Sequence, residues 1–206
     1  MFNKILTIAI YIIKNWYKWW VQLLTIIGNV KIYKTPCFII YNPEEYDYVI
    51  RGNQIRQVCD LLQPGDLILR GYNHFLDSLL IPGKYSHIGV YVGNFNVIHA
   101  IAEGVQSTDV IDFLQADRVC ILRPNSNQEQ AIQYVTSHIG SKYDFRFNSS
   151  DSSEFYCFEL AAKAYLSLNV LPFDVEFYKI SIKFLTPKYT DKSFLINTNF
   201  EKIIEI

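Results

Sequence analysis

The run Ser86-His87-Ile88-Gly89-Val90-Tyr91-Val92-Gly93 constrains this chain more than any other stretch. Ile88, Val90 and Val92 recur at every second position, the period at which extended backbone returns side chains to one face. Asn94-Phe95-Asn96 then makes a tight connection, and Val97-Ile98-His99-Ala100 resumes the extended pattern. The two runs predict an antiparallel hairpin.

Further elements bracket it. Leu67-Ile68-Leu69-Arg70 follows the loop signal Pro64-Gly65 and ends at Gly71, and Val119 to Arg123 is closed by Pro124, so both read as strands. Helical spacing runs from Val49 to Leu62, from Gln128 to Ile139 before Gly140, and from about Tyr156 to Leu168. His74 to Ile81 is expected to form a helical turn, and Ser193 to Ile206 a docked strand or tail. Strand runs bracketed by helices predict an α+β domain with a mainly antiparallel sheet.

Length and composition exclude several classes. At 206 residues the chain has room for one core with a short appendage, and at 50% hydrophobic it has the material to build it. Nineteen Lys and Arg against twenty Asp and Glu leave a formal charge of −1, without the basic excess a dedicated nucleic-acid binder needs. Cys37, Cys59, Cys120 and Cys157 form no CxxC pair, which argues against a disulfide scaffold and a structural zinc site. The first 30 residues stand apart from the domain expected over 31–206. Ile5 to Ile13 is too short to span a bilayer, and Lys14, Asn15 and Trp16 stand where a signal-peptide cleavage site would fall. Lysines mixed with Trp16, Trp19 and Trp20 predict an uncleaved amphipathic helix lying on a membrane surface.

The chemistry gathers on three residues. His87 points to the face opposite Ile88, Val90 and Val92, beside Gly89, which leaves room next to the imidazole. His99 lies 12 positions on, on the neighbouring strand of the hairpin, within diagonal reach. Cys157, between Tyr156 and Phe158, stands at the start of the last predicted helix, where free N–H groups favour a thiolate and lower a thiol pKa. Cys157 as nucleophile, His87 as base and His99 as orienter make a Cys/His triad. Blander readings compete: a packed cysteine is commoner than a nucleophile, and His99 is equally a satisfied core histidine. Asp151-x-x-Glu154 as a capping box would push Cys157 into the helix's second turn, and His74 and His138 have no partner legible in the sequence.

In order, Pro64-Gly65-Asp66-Leu67-Ile68-Leu69-Arg70, Tyr85 to Gly93, Val97-Ile98-His99-Ala100, Glu103-Gly104-Val105, Leu122-Arg123-Pro124, Tyr143-Asp144 and Tyr156-Cys157-Phe158-Glu159-Leu160 resemble the YiiX/YaeF-like permuted papain-fold amidases. These belong to the NlpC superfamily of cysteine peptidases. The histidine strand precedes the cysteine helix, the circularly permuted order. The resemblance covers Pro64 to Leu168 and implies a permuted papain-like fold, Cys157 as nucleophile, His87 as base, and a third polar residue at His99, with Glu103 as rival orienter. Glu159 matches the family's Tyr-Cys-x-Glu-Leu segment, whereas Phe158 stands where serine is commoner. An oxyanion hole is expected from the Cys157 amide and a neighbouring donor, with Tyr156 a candidate. Asp66 is expected to be structural.

The expected function is a cysteine-dependent hydrolase of amide bonds in a peptide or peptidoglycan fragment, acting through a thioester without metal or organic cofactor. Two rivals are a lipid acyltransferase or thiol esterase related to lecithin:retinol acyltransferase, acting on acyl lipids, and an inactive membrane-associated binding protein.

Overall fold

The computed structural model describes residues 15–16, 18–34, 37–41, 48–75, 83–147, 149, 152–172 and 187–206. The backbone divides into two compact units, one of residues 1–44 with 74–77, the other of 45–73 with 78–206.

In the first unit a helix, α1, covers 18–28 and is followed by an antiparallel hairpin of β1 (Val30–Lys34) and β2 (Cys37–Tyr41). Phe75 bridges to Lys31, and the Ile32 amide donates to the His74 carbonyl. Residues 76–82 lie outside the described residues, so the helical turn expected over His74 to Ile81 does too, apart from its first two positions. An amphipathic helix is not shown: α1 exposes Trp19, Leu23 and Ile26 alongside Lys18, Gln22 and Thr25, and residues 1–14 lie outside the description. Among the described residues no helix is long and apolar enough to cross a membrane.

The second unit carries the chemistry. Its elements are α2 (Gly52–Leu61), β3 (Leu67–Gly71), β4 (His87–Gly93), β5 (Asn96–Ile101), β6 (Gly104–Asp109), α3 (Val110–Phe113), β7 (Arg118–Pro124), α4 (Gln128–Ser137), β8 (Lys142–Tyr143), β9 (Glu154–Phe155), α5 (Cys157–Ala164), α6 (Lys192–Leu195) and β10 (Phe200–Glu205). Six strands form one antiparallel sheet in the order β10-β7-β3-β4-β5-β6.

The strand alternation read from the sequence sorts the sheet's two faces. Leu67, Leu69, Ile88, Val90, Ile98, Ala100, Cys120 and Leu122 join residues of α4, α5 and α6 in one core. Ile68, Tyr91, Val97, Val119 and Ile121 face the other way, into a core with Val58 of α2 and Val110 and Phe113 of α3. Asn94 and Phe95, at φ of 50° and 60°, connect β4 to β5 in the left-handed conformation that matches hairpin twist.

Helix ends differ from the sequence expectation for local reasons. α2 begins at Gly52 because the Val49 amide donates to Asp117 Oδ1 at 3.1 Å and the Ile50 amide to the Ala116 carbonyl. α5 stops at Ala164 and gives way to a 3₁₀ turn over Leu166–Leu168. There the Tyr165 hydroxyl donates to the Gly65 carbonyl, fixing the helix end to the loop before β3. The chain's end docks as the edge strand β10 on β7, and Asn199 and Asn197 tie its approach to the Leu168 carbonyl.

Candidate active site

β3, β4 and β5 bring the site's polar side chains to the face of the sheet that α3 covers. Arg70 and His87 are Cα partners across β3 and β4. The β4–β5 ladder pairs Val90 with Ile98 and Tyr91 with Val97, so His87 and His99 fall on the same face in diagonal register. His87 Nε2 lies 2.8 Å from His99 Nδ1, and His99 Nε2 lies 2.8 Å from Thr108 Oγ1 on β6. The structure therefore brings His99 to His87. Glu103, the rival orienter, is exposed in the turn between β5 and β6.

The room expected beside Gly89 is filled. Phe113, from α3, places its ring centroid 5.6 Å from that of His87 and 5.0 Å from that of His99. A β-carbon at position 89 would come within 2.9 Å of the Phe113 ring, so the glycine admits the ring that supports both imidazoles. Burial, the Arg70 charge and the neighbouring His99 push His87 well below the ordinary histidine range. Burial and Arg70 hold His99 down to about 3. Both rings are neutral at pH 7.

Cys157 is the first residue of α5, with Tyr156 as its N-cap. The capping-box alternative fails: Glu154 sits in β9, and the helix starts three residues later. The β4–β5 ladder stops at Val90, short of the Ile88 amide. That amide, with those of Phe158 and Cys157 itself, favours charge on the sulfur, as does Arg70. These are the helix-start donors the sequence reading invoked, but they do not win. The side chain is 4% exposed, and burial outweighs the donors and pushes the thiol up to about 12. The expectation of a lowered thiol pKa is thus corrected, because the free N–H groups were weighed without the loss of water around them.

 The Tyr156 hydroxyl accepts from the Tyr189 amide at 2.8 Å, and its ring packs edge-on against Phe147 at 5.3 Å. The side chain is 1% exposed, so the hydroxyl sits within the core. Glu159 is fully buried, with Lys163 Nζ 2.8 Å from its Oε1. Burial pushes its carboxyl up to about 7, against the opposing pull of Lys163 and the Tyr156 amide.

Other residues singled out from sequence are structural. Asp66 takes two hydrogen bonds from Arg123, at 2.9 and 2.8 Å, and one from the Gln63 amide at 2.8 Å. His138 Nδ1 lies 2.7 Å from the Tyr134 carbonyl at the end of α4. Sequence reasoning missed Thr108, Phe113 and Arg70. Thr108 had no signal, since it lies on a strand with no apolar alternation. Arg70 had one: it ends a predicted strand next to the histidine strand. Asp191 was also missed; its Oδ2 accepts from the Lys84 and Tyr85 amides at 2.6 and 3.0 Å, pinning the backbone that leads into β4.

Comparison with known proteins bears on this arrangement. Residues 61–187, more than half the chain, match the family described as permuted papain-like amidase enzyme, YaeF/YiiX, C92 family. The crystal structure of the metalloprotein YiiX from Escherichia coli O157:H7 is similar, with a TM-score of 0.57 and 20% identity over 70% of this chain and 97% of that one. At that identity the likeness bears on the fold. No curated protein matches the chain. Among the described residues, no group of three or more His, Cys, Asp or Glu side chains is placed to hold a metal ion.

Proposed function

Since this chain belongs to the YaeF/YiiX family of permuted papain-like amidases, a family of papain-like cysteine peptidases and amidases, we propose that it hydrolyses amide bonds of peptides or peptidoglycan fragments through a thioester on Cys157. The observation that carries this reading is the chain of contacts from His87 Nε2 to His99 Nδ1 and from His99 Nε2 to Thr108 Oγ1. It engages Nε2 of His87, so on this reading Nδ1 is the nitrogen that takes the thiol proton.

The tautomers follow from that role. To act as a base, His87 Nδ1 must be bare, so its proton sits on Nε2 and is donated to His99 Nδ1. His99 then carries its own proton on Nε2 and donates it to Thr108 Oγ1. With a neutral thiol and a neutral imidazole at rest, the proton moves as the sulfur attacks. Sγ bonds to the carbonyl carbon while His87 takes the thiol proton. The tetrahedral intermediate collapses to a thioester as His87 gives that proton to the departing amine. Water, deprotonated by His87, then releases the acid and returns the thiol. The backbone N–H groups that converge on the sulfur supply donors for the oxyanion.

A second reading, a lipid-directed thiol acyltransferase or esterase, draws on the exposed Trp16, Trp19, Leu23 and Ile26 of the N-terminal unit, which suit a membrane surface. One experiment separates the two. The protein is mixed with peptide amides, peptidoglycan fragments and fatty-acyl esters, quenched in acid and weighed intact. A peptidyl adduct on Cys157, absent from Cys157→Ala, supports the amidase. A fatty-acyl adduct supports the lipid enzyme, and turnover unchanged in Cys157→Ala overturns both.

A further inference from the structure

Arg70 stands at the end of β3 with no acid to balance it. Its guanidinium carbon lies 4.3 Å from the Phe113 ring centroid and 5.4 Å from that of Tyr72, and Nη1 donates to the Phe113 carbonyl at 3.0 Å. Nε is buried and has no acceptor. Among the described residues no carboxylate pairs with Arg70. Arg123 on β7 marks the contrast, since Asp66 takes two hydrogen bonds from it.

A guanidinium stays charged at any working pH, and withdrawing it from water without an anion is costly. Stacking over two aromatic rings offsets part of that cost. The residue as a whole is half-buried and its Nε is sealed, so an anion would meet the guanidinium at its terminal Nη atoms. It is the Cα partner of His87 across β3 and β4, and the Phe113 ring it stacks on also packs against His87 and His99; its charge acts on Cys157 and on both histidines. The terminal Nη pair of a planar guanidinium fits a carboxylate in particular.

We propose that Arg70 is a carboxylate-binding subsite beside Cys157, and that the preferred substrates are amides carrying a free carboxylate close to the scissile bond. The substrate half of this rests on Cys157 being the nucleophile; the binding half does not.

The test therefore has two arms, both on the full chain. In the first, the α-amides of N-acetylglutamate and N-acetylglutamine, which differ only in the side-chain carboxylate, are titrated into Cys157→Ala protein and followed by the arginine Nε–H signals in NMR. The carboxylate is expected to bind at least about tenfold more tightly than the amide, with the preference lost in Arg70→Gln and partly kept in Arg70→Lys. In the second, anilides of the same two acyl groups are hydrolysed by the unsubstituted protein. The expected kcat/KM ratio of acidic to neutral substrate is about 10 to 100, falling toward 1 in Arg70→Gln. Equal binding of the two ligands, or a ratio that Arg70→Gln leaves unchanged, overturns the proposal. Arg70-dependent binding without turnover keeps the subsite and removes the hydrolase reading. Turnover through Cys157 without a preference does the reverse. Arg70→Lys, which keeps the charge, guards against reading misfolding of Arg70→Gln as lost recognition.

Discussion

Gly89→Ala adds one methyl group where the structure has no space for it. The new carbon would lie 2.5 Å from Val97 Cγ1 and 2.9 Å from Phe113 Cζ. Carbon atoms rest at about 3.5–4.0 Å from one another, so both neighbours must retreat. Neither can do so freely: Val97 and Phe113 are both fully buried, and a β-branched valine has few rotamers to choose from. Overpacking a tight core costs about 1–3 kcal/mol, and two stiff clashes put this substitution near about 3 kcal/mol. In a chain of this length that lowers the Tm by about 6–12 °C. Urea and thermal unfolding followed by circular dichroism measure the loss. Repeating it in a Val97→Ala background removes one clashing atom, and the cost of Gly89→Ala should then fall by about 1 kcal/mol or more. The imidazoles give a second readout, because a displaced Phe113 ring shifts the NMR signals of both His87 and His99. A Gly89→Ala protein within about 0.5 kcal/mol of the unsubstituted one, or an undiminished cost beside Val97→Ala, refutes the packing argument.

Two further predictions concern ionisation. With its thiol pushed up to about 12, Cys157 should react with iodoacetamide about ten times faster for each pH unit between 7 and 10; a rate that levels off below pH 8 would mean a preformed ion pair. Glu159 has the sign of a buried acid: burial lifts its pKa in the fold to about 7, above the 4.5 of a free glutamate, so the fold favours the protonated form. Stability is therefore undiminished below about pH 4.5 and falls as pH rises toward 7, by about 3 kcal/mol in all. Glu159→Gln should accordingly unfold at a higher temperature than the unsubstituted protein at pH 8 and show no such gain at pH 4.5. A loss of stability at pH 8 would show that the Lys163 pair outweighs burial.

The hairpin, the strands on either side of it and the diagonal histidine pair were legible because they depend on period-two alternation, which a sequence displays directly. Cys157 at a helix start was legible for the same local reason. The closing of the sheet by β6, the seating of Phe113 against both rings and the exposure of Glu103 in the β5–β6 turn were not, since each depends on which strand lies beside which. The thiol's ionisation was misread on different grounds. Helix-start donors are written in the local sequence, whereas the desolvation that overrides them comes from α5 packing onto a sheet whose strands lie as far back as residue 67. Thr108 and Arg70 share that limit: one polar residue on a strand says nothing until its cross-strand neighbours are known.

In the proposed mechanism Arg70 acts on the two proton-transfer partners in opposite senses. Its charge favours a thiolate on Cys157 and disfavours imidazolium on His87, and proton transfer between them makes both at once. The two effects oppose each other, so only the difference between the two distances is left for the cation to act through. In the proposed mechanism orienting His87 falls to His99 and Thr108, and the backbone amides at α5 and β4 provide donors at the sulfur. What a cation at this position does not meet inside the described fold is an anion, and the group that arrives at the site from outside is the substrate.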